Sequence, residues 1–110
     1  MQDTVQGTLA QLTANIPAGS GASPLYLISF GGETAGGASW DTMLSSASMA
    51  ATFGSNAAAL VNALAAAYPG AAFGIDLDIE GQTSQLPEMK TLVAAFRAAA
   101  PTAFLQLCSY

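Results

Sequence analysis

Apolar positions along the chain follow two periods, one helical and one extended. Val5, Leu9, Leu12 and Ile16 recur at helical spacing behind Asp3, whose side chain can cap the first turn while Gln6 reciprocates three residues on, so a helix is expected over 4–16. "PAGSGASP" then interrupts it with two prolines and two glycines. "LYLISF" is an apolar run of buried-strand length, and "GGETAGG" after it reads as a loop. The stretch from Trp40 to Ala51 reads as a helix or a pair of turns, and Ser55 or Asn56 can cap a further helix in which Leu60, Val61, Leu64 and Tyr68 share a face. Pro69 and Gly70 end it. "AAFGIDLDIE" is the second strand. Pro87 then opens a helix with Met89, Leu92, Val93 and Phe96 on one side, Pro101 closes it, and "AFLQLCSY" is the third strand.

Helices between successive strands predict right-handed crossovers and a parallel sheet, an α/β fold in a single domain over 1–110. No internal repeat, charge run or linker divides the chain. One strand breaks the pattern of such sheets. In "FGIDLDIEG", residues 73–81, Asp76, Asp78 and Glu80 alternate with Ile75, Leu77 and Ile79, so the three carboxylates share one face, roughly 6–7 Å apart in succession. A central strand covered by helices on both faces should be apolar on both. Removing unpaired carboxylates from water costs several kcal/mol each, so this face must meet water, partners or a polar interior. A β/α barrel supplies such an interior, with one strand face under the helices and the other on the lumen.

Composition narrows the partners. Hydrophobic residues make up 52% of the chain, enough for a sizeable core. Only Lys90 and Arg97 are basic against seven acids, for a net charge of −5. Neither a nucleic acid nor an anionic membrane surface suits a chain with no basic patch. "NAAALVNALAAAY" is too short and too interrupted for a bilayer span. No secretory signal is legible in "MQDTVQGTLA", and the compartment stays open. Cys108 is the single cysteine and is expected as a small buried apolar residue near the end of its strand.

Gly74-Ile75-Asp76-Leu77-Asp78-Ile79-Glu80 resembles the signature D-G-x-D-x-D-x-E of glycoside hydrolase family 18, the chitinases and endo-N-acetylglucosaminidases, with Phe73 where the signature begins with Asp. Upstream, Ser29-Phe30-Gly31-Gly32 is similar to the S-x-G-G of that family's third barrel strand, and "FLQLCSY" is similar to the fifth. The resemblance covers residues 25–110 and implies part of a TIM (β/α)8 barrel, about strands three to five. It implies secretion, no cofactor and no metal. Its substrate class is chitin or other β-1,4-linked N-acetylglucosamine oligosaccharides. Glu80 would be the general acid, Asp78 would orient the substrate acetamido group, and Asp76 would share a proton with Asp78. Ser29, Gly31, Gly32 and Tyr110 are the expected substrate contacts. A whole barrel takes about 250 residues in eight strands. The family's tyrosine and aspartate on strand six and tryptophan on strand eight have no counterparts in this chain.

Other readings of the same residues stay open. The acidic face can be simply solvated, or can hold a divalent cation through hard oxygen ligands. Glu33 fits a solvated loop or the same site, and Trp40 fits packing or sugar stacking. Gly31 and Gly32 also suit a tight strand-to-loop turn. Neither glycine-rich loop has a phosphate-binding pattern. Three strands alone leave a bare lumen face and two unpaired edges, so a homo-oligomer is expected. Activity of this chain alone is left undecided, with a non-catalytic sugar-binding or structural fragment as the alternative.

Overall fold

The computed structural model describes residues 24–31, 40, 44–79 and 86–109. The helix expected over 4–16 lies outside them. In chain order the elements are β1 (Leu25–Gly31), α1 (Ala47–Ala67), β2 (Ala72–Ile79), α2 (Leu86–Ala99) and β3 (Phe104–Ser109). The strands form one parallel sheet in the order β1-β2-β3. This is the α/β architecture of successive β/α units expected from the alternation of periods.

The second strand lies at the centre because it is apolar enough to be covered. Phe73, Ile75, Leu77 and Ile79 are buried, with Ile75 and Leu77 both 0% exposed. They belong to one core cluster with Val61 and Leu64 of α1 and Met89, Leu92 and Phe96 of α2. Burying a side chain of this size stabilises by about 1.5–3 kcal/mol, and the five largest fully buried side chains lie on β2, α1 and α2. Aromatic rings close the margin next to β1: Phe30 meets Phe53 edge-on at 5.2 Å and Tyr26 tilts against Phe73 at 5.7 Å.

The first helix differs from the two segments expected between Trp40 and Tyr68. It runs unbroken for 21 residues behind Ser46, which holds an extended conformation and whose Oγ accepts the N–H of Met49 at 3.1 Å. Ser55 and Asn56 are exposed mid-helix positions and cap nothing. Gly54 does not interrupt the helix because tertiary packing needs it: a Cβ there would lie 2.2 Å from the carbonyl oxygen of Leu92. The backbones of α1 and α2 approach at that point, which outweighs the ~1 kcal/mol that glycine costs in a helix relative to alanine. Tyr68 N–H returns to Leu64 O at 2.9 Å, and Pro69 and Gly70 make the turn into β2.

The second helix follows the expected pattern, with Met89, Leu92 and Phe96 buried and Val93 packed at the edge of the core. Its last turn is tied down by Arg97, whose Nη1 donates to the carbonyls of Ala100 at 3.3 Å, Pro101 at 3.2 Å and Ala103. These carbonyls belong to the turn after Ala99, so Arg97 fastens the connection into β3 to the end of the helix. Asn62 Nδ2 adds a bond from α1 to Ala99 O at 3.0 Å.

The close helix approach is tested by comparing two glycines. Gly54→Ala should destabilise the chain by about 1–3 kcal/mol in urea unfolding, because the methyl group meets backbone. Gly70→Ala, with nothing within 4 Å, should stay within about 0.5 kcal/mol of the wild type. A gain in stability of up to about 1 kcal/mol for Gly54→Ala would show that helix propensity alone governs that site.

Candidate functional site

Alternation along β2 turns Asp76 and Asp78 away from the helices. Both are half-buried, whereas their neighbours Ile75, Leu77 and Ile79 are buried. Parallel register places Ser29 opposite Asp76 and Gly31 opposite Asp78 on one side, and Gln106 and Cys108 opposite them on the other. The same face carries Leu25 and Leu27 of β1, Gly74 of β2 and Phe104 of β3 nearer the strands' N-terminal ends. It is therefore apolar at one end and polar at the C-terminal end.

The two aspartates are held differently. Asp76 accepts Ser29 Oγ at 3.0 Å on Oδ2 and Gln106 Nε2 at 3.2 Å on Oδ1, so each carboxylate oxygen has a donor from a different flanking strand. Charge-assisted bonds of this kind orient the carboxylate and pin strand register. Asp78 Oδ1 is buried with no hydrogen-bond partner among the described residues. A buried acceptor without a donor costs about 1–3 kcal/mol, and the cost is relieved when water, a neighbour or a ligand brings one.

At the end of β1, Gly31 holds φ +106, in the region that favours glycine. A Cβ there would lie 2.2 Å from the Asp78 carbonyl oxygen. The tight strand-to-loop geometry expected for Gly31 is thus a direct backbone requirement. Trp40 is 3% exposed, its ring centroid 6.0 Å from that of Phe53. It packs in the core and offers no open face for stacking on a sugar. Cys108 differs from its expectation: it is half-buried, not buried, and occupies the carboxylate face beside Asp78.

Ser29, Gly31, Asp76 and Asp78 are thus brought together at the C-terminal ends of β1 and β2. Glu80, Gly32, Tyr110 and Glu33 lie outside the described residues. Gln106 was missed as a site residue in the sequence, although a lone amide between two leucines of an apolar strand was a legible signal. Among the described residues no three His, Cys, Asp or Glu side chains converge as metal ligands. Two described concavities avoid both carboxylates. One, about 240 Å³, is lined by Phe30, Phe53, Asn56, Ala57 and Leu60. The other, about 210 Å³, lies by Val61, Phe73 and the turn from Ala100 to Ala103. Neither is part of the candidate site.

No family model, curated protein or solved structure matches the chain.

The bridge from Gln106 to Asp76 is open to a double-mutant cycle. Gln106→Leu and Asp76→Leu should couple by about 0.5–1.5 kcal/mol in unfolding free energy. Strict additivity would mean that the bond at 3.2 Å contributes nothing to the fold.

Proposed function

We propose that the chain is a chitinase-type glycoside hydrolase segment, acting on β-1,4-linked N-acetylglucosamine polymers. The observation that carries this reading is the hydrogen bond from Ser29 Oγ to Asp76 Oδ2, which joins the two family-like motifs across 47 residues of sequence on one polar sheet face. In this reading β1, β2 and β3 are strands three to five of a (β/α)8 barrel. The carboxylates then stand at the C-terminal, catalytic end of the lumen.

The chemistry follows the substrate-assisted exception to two-carboxylate glycosidase schemes. Glu80 gives its proton to the glycosidic oxygen as the bond to the anomeric carbon breaks. The substrate's own acetamido carbonyl attacks that carbon and forms an oxazolinium ion. Water then adds to the anomeric carbon, giving a proton back to the Glu80 carboxylate, and the ring opens with net retention. Asp78 accepts the acetamido N–H and stabilises the positive charge that develops. Its Oδ1, which has no partner among the described residues, supports that role, since an amide would supply the donor. Asp76, held from both sides by Ser29 and Gln106, keeps its place two residues before Asp78 on the same face. Ser29 and Gly31 line the site among the described residues, and in this reading Gly32 and Tyr110 are further substrate contacts. No cofactor enters these steps.

A second reading draws on the exposed apolar groups of the sheet. Phe104 and Leu107 are 49% and 51% exposed on opposite faces of the edge strand β3, and Leu25 is exposed on β1. Such edges and faces are covered when another chain adds to them. In this reading the chain is a self-associating barrel fragment that binds carbohydrate or serves structure, without turnover.

A chromogenic chito-oligosaccharide separates the two. Hydrolysis should fall at least about a hundredfold in Glu80→Gln, the scale of a lost general acid. Wild-type turnover no greater than that of the variant removes the enzyme reading, and calorimetric binding of chitotriose without turnover then selects the second. Self-association is tested by sedimentation: the mass should be a multiple of 11.0 kDa, and a monomer would overturn it.

A further inference from the structure

Trp40 lies outside the motifs that carry the carboxylates, yet it is bonded to the strand that bears them. Its indole N–H donates to the backbone carbonyl of Asp78 at 3.3 Å. Gly31 makes room for this contact, because a Cβ at that position would lie 2.7 Å from Trp40 Nε1 and 2.2 Å from the Asp78 carbonyl oxygen. Gly31 is also the register partner of Asp78. The end of β1, the buried indole and the end of β2 therefore meet at one junction.

We propose that Trp40 is a positioning residue for the carboxylate strand, acting through the Asp78 carbonyl. The peptide bond is planar, so the direction of that carbonyl relative to the Asp78 Cα is set by a single torsion, ψ. The same torsion sets the course of the chain beyond Asp78 relative to its carboxylate. A donor that holds the carbonyl therefore holds both. The indole is itself fixed, by burial and by Phe53, so it can act as a rigid reference. The role rests on reading Asp78 as the group that orients substrate, and Trp40 touches no substrate in it.

The test uses the full chain with Trp40→Phe, which keeps a ring and deletes the N–H, and Gly31→Ala, which forces indole and carbonyl apart. The chain has one tryptophan, so its indole N–H gives one resonance. In the wild type that proton should exchange at least about tenfold more slowly than in free tryptophan, and Gly31→Ala should remove the protection. Trp40→Phe should move the amide resonances of Asp78 and Ile79 and leave those of Thr102 and Ala103 in place. Turnover of the chito-oligosaccharide reads the consequence: kcat should fall at least about tenfold with KM within about twofold, the split expected when only the reacting geometry is lost. Fast indole exchange in the wild type overturns the proposal without any variant, so the test stands even where a substitution unfolds the chain. Unmoved Asp78 and Ile79 amides in folded Trp40→Phe, or an unchanged kcat, overturn it as well. Absence of wild-type turnover defeats the hydrolase reading alone, and the exchange and amide data then decide the clamp.

Discussion

Everything in this sheet depends on the burial of one face of β2. Ile75 and Leu77 are fully buried beneath α1 and α2, and strand geometry then leaves Asp76 and Asp78 no choice of side. A slip of one residue would drive two carboxylates into an apolar core, at several kcal/mol each. Register is thus enforced by the cost of the alternative, and the same alternation that builds the core assembles the polar face.

On that face, donors are arranged unequally. Asp76 is held by one hydroxyl and one amide, from strands on either side, while Asp78 keeps a buried oxygen that no described residue meets. A site built only for stability would satisfy both, since a buried acceptor without a donor works against folding. Among the described residues, the contrast between a fixed carboxylate and one short of a donor supports the proposal that a donor arrives from outside them. The junction of Gly31, Trp40 and the Asp78 carbonyl adds a backbone constraint at the same end of the strands.

The helical layer shows where local signals fall short of tertiary ones. Ser55 and Asn56 carry a capping signal, yet α1 passes through both and through Gly54. Capping preference is worth about 1 kcal/mol, less than the apolar burial that a continuous helix secures against α2. Gly54 is a contact point between backbones, and only the neighbouring helix makes that visible.

The sequence by itself determined the alternation of strands and helices and the single side of the second strand on which its carboxylates stand, because these follow from periods of two and 3.6 residues along one chain. It also carried both motifs and the single amide of β3. Only the tertiary structure decided that Ser29 and Gln106 reach Asp76, that no described residue gives Asp78 Oδ1 a donor, and that Trp40 is bonded to the carbonyl of Asp78. Those facts depend on the register between strands distant in sequence and on the packing that fixes it, which no local period encodes.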